Sequence, residues 1–248
     1  MADKHKNNDT DEIQINKKRQ RFVVVISSVT VILLIAAIFF MIYTVQQKED
    51  AKRAIKKQAT HRVTETTSIN YDNQPFIGST NVPVRLAVFT DYSCPYCRQF
   101  DLQILPALNK EYVQNNKVSI YFYNYVILGS GSNLAANAAE IVYQQNPKAF
   151  FAFNQALFKA QRSENSDWIT PKLLLQLVKQ TVPSVDSKAF QQALAEKSRQ
   201  QAVDNDNAIA EELGVTGTPT VLINGKLSAN ALNLNKLRAQ INLALKKK

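Results

Sequence analysis

Cysteine is nearly absent from the 248 residues: there are two, Cys94 and Cys97, and the only histidines, His5 and His61, stand ahead of the region whose composition turns globular. One Cys pair without nearby histidine cannot supply four zinc ligands, so no metal is expected. No thiol lies near the N-terminus to carry a lipid. No internal repeat and no cofactor-binding motif is evident. The net charge of +10 is unevenly spread: residues 1–57 hold 11 Lys/Arg and 6 Asp/Glu, and the remainder holds 19 and 14, three of the basic residues being Lys246, Lys247 and Lys248. The excess therefore belongs to the flank and the tail. No basic stripe with interleaved aromatics is left to argue for nucleic acid, and attraction to anionic lipid explains the charge more simply.

Residues 1–21 are polar and charged and end in Lys17-Lys18-Arg19-Gln20-Arg21, a segment that would not fold alone and is expected in the cytoplasm. Residues 22–45 carry no charge, and about 24 residues at about 1.5 Å each cover the ~30 Å hydrocarbon layer. That run exceeds the core of a cleaved signal, and no small-x-small site follows it, so an uncleaved transmembrane anchor is expected. Both flanks are basic and the charge rule does not orient the span. The two-cysteine usage does: a dithiol kept as a disulfide needs an oxidising compartment, which puts the remainder outside the cell membrane. Residues 46–74 read as a stalk and 75–248 as one domain with a substantial core.

Within that domain Val82–Thr90 is almost continuously apolar and reads as a strand buried on both faces. A helix is expected from Pro95 to about Asn115 with a kink at Pro106, then a strand over Val118–Leu128 stopped by Gly129-Ser130-Gly131-Ser132. Helical periodicity follows over Asn133–Gln145, Pro147–Gln161, Pro171–Thr181 and Ser187–Leu213. A strand at Thr220–Ile223, a tight turn at Asn224-Gly225, and a helix from Ala231 to Leu245 close the chain. The pattern is α/β with an all-helical insertion at about 132–213. The aromatics Phe150, Phe151, Phe153, Phe158 and Trp168, at helical spacing, are read as core.

The two cysteines fall at the junction of the first strand and the first helix, in Phe89-Thr90-Asp91-Tyr92-Ser93-Cys94-Pro95-Tyr96-Cys97-Arg98. Unpaired N–H groups and the macrodipole at a helix N-terminus favour a thiolate there, and thiolate is the reactive form. Pro95 suits the first helical position. Cys94 is then the exposed nucleophile that forms a mixed disulfide, and Cys97 the more buried resolving thiol. As a structural staple the pair would be poor: a loop of about four residues contributes only about 2 kcal/mol, against ~3 for fifteen. A Cys94 pKa lowered from about 8.5 to about 4 would favour the reduced form at pH 7 by ~4 kcal/mol, roughly 90 mV. Arg98 as a nearby cation and Asp91 as a proton acceptor for Cys97 are candidates for tuning that shift, set against ordinary roles as a solvated helix residue and a turn residue.

A second element sits far along the chain, in Gly214-Val215-Thr216-Gly217-Thr218-Pro219-Thr220. Residue type alone leaves Pro219 open between a trans strand start and a cis bond that would turn Thr218 towards a bound peptide. Taken together, Phe76-Ile77-Gly78, Val82-Pro83-Val84, the Cys-Pro-Tyr-Cys stretch, the long helical insertion and the late Thr-Pro resemble the DsbA-type thiol-disulfide oxidoreductases, in particular their membrane-anchored BdbD-like members. The resemblance covers about Ile69 to Leu245. It implies a thioredoxin-like fold with an inserted helical domain, a cis Pro219 beside the thiols, and substrate contacts from Thr218 with Pro95 and Tyr96 around the site. Tyr96 is where the chain departs from the residue relatives commonly carry.

The implied activity is oxidation of cysteine pairs in reduced exported proteins, with re-oxidation by a quinone-linked membrane partner and no cofactor besides the Cys94–Cys97 couple. A monomer is expected, and the isomerase reading is disfavoured because only a span and a stalk, with no separate dimerisation segment, precede the domain. A disulfide isomerase or reductase is the rival within redox chemistry. A membrane-tethered binding or holdase protein is the rival outside it.

Overall fold

The computed structural model describes residues 39–41, 43–47, 69–162, 167–228 and 230–247, and the chain divides into two units, 1–58 and 59–248. In the first unit residues 39–41 and 43–47 are helical. The expected cytoplasmic segment 1–21, most of the expected span 22–45 and most of the expected stalk 46–74 lie outside the described residues. Among the described residues no helix is long and apolar enough to cross a membrane.

The second unit is built on a five-stranded sheet of β1 (Phe76–Ile77), β2 (Val84–Thr90), β3 (Val118–Asn124), β4 (Thr220–Ile223) and β5 (Lys226–Leu227), ordered β1-β3-β2-β4-β5. β2 and β3 run parallel, with Val84 opposite Val118 and Thr90 opposite Asn124; β1, β4 and β5 join antiparallel. Side chains alternate across a strand, and β2 uses both sets. Val84, Leu86 and Val88 enter the larger core with Ile120, Phe122 and Val221, whereas Ala87 and Phe89 enter a smaller one with Tyr121, Tyr123, Ala210 and Leu222. Burial on both faces is why this strand reads as a continuous apolar run. It starts at Val84, two residues later than expected.

The expected helix from Pro95 is a broken run: α1 (Pro95–Gln99), a π turn (Phe100–Ile104), α2 (Leu105–Leu108) and a second π turn (Asn109–Val113). Pro106 opens α2, where its missing N–H costs little. The break is thus spread over π turns and not confined to the proline. β3 ends at Asn124, short of the expected Leu128, because α3 (Ser130–Gln145) begins almost at once after Gly129, whose φ of 105° is open to glycine. A 3₁₀ turn at Pro147–Ala149, then α4 (Phe150–Ala160), α5 (Pro171–Thr181), α6 (Ser187–Ala195) and α7 (Gln200–Glu212) complete the insertion. The expected single helix over 187–213 is two helices. Finally α8 (Leu234–Leu245) buries Leu237 and Ile241, starting where Asn233 accepts the Lys236 N–H and not at Ala231.

The insertion is tied back to the sheet by polar groups. Asp206 on α7 accepts from the Asn124 N–H at 2.9 Å, the Asn124 side chain at 3.0 Å and Gln74 at 2.7 Å. Asn124 also donates to Glu140 on α3 at 3.0 Å.

Candidate active site

β2 delivers the chain to the cysteines, and a tight turn aims them. Asp91 is buried at the strand end, and its carboxylate accepts four hydrogen bonds: from the Ser93 N–H (2.8 Å) and Ser132 hydroxyl (2.6 Å) on one oxygen, and from the Ile127 and Leu128 N–H groups (2.9 and 3.0 Å) on the other. Both oxygens are thereby committed to the turn, to the loop after β3 and to α3. What reaches Cys97 is the Asp91 amide, 3.5 Å from Sγ. The Cys94 N–H returns to the Asp91 carbonyl at 3.1 Å.

Cys94 is the N-cap of α1, with φ −75° and ψ 120°, and Pro95 occupies the first helical position. The residue before a helix with a following proline adopts such an extended backbone for steric reasons. Both cysteines are free thiols. Cys97 is sealed at 0% accessibility and Cys94 keeps 5%, so an incoming sulfur meets Cys94 first. Tyr96, between them, is 60% exposed.

The Thr218–Pro219 bond is cis, and the Thr218 carbonyl lies 3.4 Å from Cys94 Sγ. The Thr218 hydroxyl is buried and completes no hydrogen bond at ordinary geometry, so what it lends the two thiols is a weaker approach than a full bond. The two thiols are driven apart. Donation from the Cys97 thiol does most to lower Cys94, to about 6; burial opposes it, and the Thr218 side chain and the amides of Cys97 and Tyr96 add to the lowering. Burial first, then the bond to Cys94 and its charge, push Cys97 well above the ordinary thiol value. One sulfur is therefore anionic at neutral pH and the other holds its proton.

Arg98 is exposed, and its Nε donates to the Phe158 carbonyl at 3.1 Å, which ties α1 to α4. Asp91 and Arg98, candidates for tuning set against ordinary turn and helix roles, are both engaged in holding elements together, and the Asp91 amide also lowers Cys97 against the effect of burial. Several site residues carried no sequence signal. Gln161, just past α4, donates from Nε2 to the carbonyls of Tyr92 (2.8 Å) and Cys94 (3.1 Å). The Ser132 hydroxyl also bonds Ser93 at 2.8 Å. Tyr92 donates to Asn154 at 2.9 Å, and Asn154 to the buried Asp101 at 2.6 Å. Ile127 and Leu128, held out by Asp91, are 47% and 36% exposed. Only the tertiary fold brings these positions to the cysteines.

A thioredoxin-type sheet, a Cys-x-x-Cys at the N-terminus of the helix after β2 and a cis proline against the first sulfur define a dithiol-disulfide exchange protein. Three comparisons carry this further. The thioredoxin family model matches residues 70–243. The chain is 36% identical over 177 residues to the probable disulfide bond formation protein D of Bacillus anthracis, covering 71% of this chain and 81% of that one. It is 31% identical over 175 residues to disulfide bond formation protein D of Bacillus subtilis, covering 71% and 78%. The crystal structure of oxidised BdbD from Bacillus subtilis superposes with a TM-score of 0.69 at 30% identity, over 71% of this chain and 95% of that one. The chain belongs to the thioredoxin family, among the BdbD-like, DsbA-type thiol-disulfide oxidoreductases.

Proposed function

We propose that this oxidoreductase introduces disulfides into exported proteins outside the cell membrane, tethered by residues 22–45 and acting as a monomer. The observation that carries the reading is the opposed state of the two thiols: both are buried, not exposed as expected for Cys94, but Cys94 keeps a 5% opening and is lowered to about 6, whereas Cys97 is sealed and raised. An enzyme that donates its disulfide must have a stable reduced form, and a thiolate at Cys94 supplies it.

The step balances without a separate cofactor. A client thiolate attacks Cys94 Sγ of the oxidised enzyme, the Cys94–Cys97 bond breaks, and Cys97 leaves and takes up a proton. The client's second thiolate then attacks its own sulfur in the mixed disulfide and expels Cys94 as thiolate. The client loses two electrons and the enzyme gains them. A quinone-linked membrane oxidase is the partner that would take them on. Thr218, Pro219, Pro95 and Tyr96 border the sulfur that meets the client, and the exposed Ile127 and Leu128 offer apolar contact beside them.

The test is oxidative refolding of a reduced two-cysteine protein. The oxidised enzyme is expected to restore its disulfide, and Cys94→Ser and Cys97→Ser, neither of which can form the Cys94–Cys97 disulfide, are each expected to abolish transfer. Rescue of a scrambled protein alone, with no oxidation of the reduced one, would overturn the oxidase reading in favour of an isomerase. Protease accessibility of the domain in intact cells tests the location and the tether.

A further inference from the structure

The main chain around Cys94 is held from outside the thioredoxin part. Gln161 follows α4 in the inserted domain, and its Nε2 bridges the carbonyls of Tyr92 at 2.8 Å and Cys94 at 3.1 Å. Both partners are acceptors only, so the orientation of the amide is fixed: its NH₂ group faces the active-site turn. The Cys94 carbonyl also takes the Arg98 N–H at 3.1 Å as the first bond of α1. Two donors on that oxygen hold it away from the sulfur and draw off its negative charge. With the Cys94 N–H held by Asp91 O, the residue is pinned at both its amide and its carbonyl.

From this geometry we infer that Gln161 is a positioning residue for Cys94, through which the inserted domain sets how strongly the dithiol oxidises. The inference rests on Cys94 being the exchanging sulfur. Its physical content is alignment. The amides of Tyr96 and Cys97 stabilise the Cys94 thiolate only while Sγ stays over them, and charge-assisted bonds of this kind weaken steeply with misalignment. Removing the Gln161 bond leaves the Arg98 N–H as the donor on the Cys94 carbonyl and loosens the backbone torsion that holds Sγ there. The insertion has other links to α1 and its approach, the Arg98 bond to Phe158 O and the Tyr92 ring against Phe158 with centroids 5.0 Å apart. These hold the helix. Among the described residues, Gln161 is the side chain that grips the Cys94 carbonyl.

Gln161→Met keeps the length of the side chain and removes both donors; Gln161→Asn keeps the donors and draws them back by one methylene. In full-length protein, the pH midpoint of Cys94 alkylation is expected to rise by about half a unit in the Met variant, with a smaller rise in the Asn variant. The equilibrium with glutathione should move about threefold towards the disulfide, about 15 mV at 29.6 mV per tenfold. A merely structural role predicts instead a lower melting temperature with both readouts unmoved, and that result overturns the proposal. So does no change in any readout. If the Met variant does not fold, the Asn variant decides on the same two readouts. Failure of the underlying reading looks different: thiol exchange would then survive Cys94→Ser in otherwise unaltered protein.

Discussion

Cys94 and Cys97 share a helical turn, yet burial acts on them unequally. Cys97 has no accessible surface and keeps its proton, which it lends to Cys94. With an ordinary thiol value of 9.0 and a folded value of about 6, the thiolate favours the reduced enzyme at pH 7 by at most about tenfold, near 30 mV, less whatever solvent at the open edge of the sulfur screens. That is a smaller push than a value near 4 would have given. Thr218 is where this push is open to test, because its side chain lowers both sulfurs. Thr218→Val keeps the shape and removes the hydroxyl, so the alkylation midpoint of Cys94 is expected to rise by about half a unit. A stopped-flow pH profile with an uncharged alkylating probe measures it, and an unmoved midpoint would mean the hydroxyl has no part. The cysteines were legible in the sequence because their chemistry is tied to residue type; Thr218-Pro219 became legible only through the family resemblance, since residue type left the bond open between cis and trans. Gln161, Asn154 and Ser132 were not: an amide or hydroxyl becomes a site residue only through what folds against it.

At the scale of elements, periodicity located most helices, and capping chemistry explains where it went astray. Thr170 before Pro171 and Asp186 before Ser187 cap α5 and α6 through the N–H groups of Leu173 (3.2 Å) and of Lys188 and Ala189 (2.8 and 3.1 Å). The stop inside 187–213 carries no such mark. There the Lys197 N–H returns to Leu194 O at 3.2 Å and the Ser198 N–H to Ala193 O at 3.0 Å, with Lys197 at φ 51°. This pair of bonds is the Schellman ending, which a glycine usually announces and here a lysine adopts. Lys197→Gly relieves the left-handed conformation without touching the core. It is expected to stabilise the domain by about 0.5 to 1 kcal/mol, read as a higher urea midpoint at unchanged slope. A lower midpoint would show that the lysine side chain contributes more than its backbone costs. The π turns after α1 were equally invisible, since a five-residue ring leaves the apolar pattern of Phe100, Ile104, Leu105 and Leu108 nearly intact.

Across the whole domain, the inserted helices are tied in through a few buried polar links whose carboxyls burial raises towards neutrality: Asp206 to about 6, Asp101 to about 7 and Glu140 to about 8. Asp101, in the first π turn, accepts from Asn154 with one oxygen, while the other is buried without a partner. Burial raises its carboxyl from 3.8 to about 7, against the lowering effects of Asn154 and Lys159. A carboxyl whose folded value exceeds its unfolded one binds its proton more tightly in the native state. Its contribution is therefore full below about pH 4 and is lost as pH rises through about 7. Between pH 5.5 and 8 the loss amounts to roughly 2 kcal/mol. Cys94 works the other way: a lowered thiol contributes stability above about 9 and loses it as pH falls through about 6, but only in the reduced enzyme. Measured on the oxidised enzyme, where neither sulfur titrates, wild type should lose stability from pH 5.5 to 8. Asp101→Asn, which keeps an acceptor for Asn154 and cannot ionise, should lose about 2 kcal/mol less over the same interval. Urea unfolding of both proteins at the two pH values checks this, and parallel losses would show that Asp101 ionises in the folded protein as freely as it does in the unfolded chain.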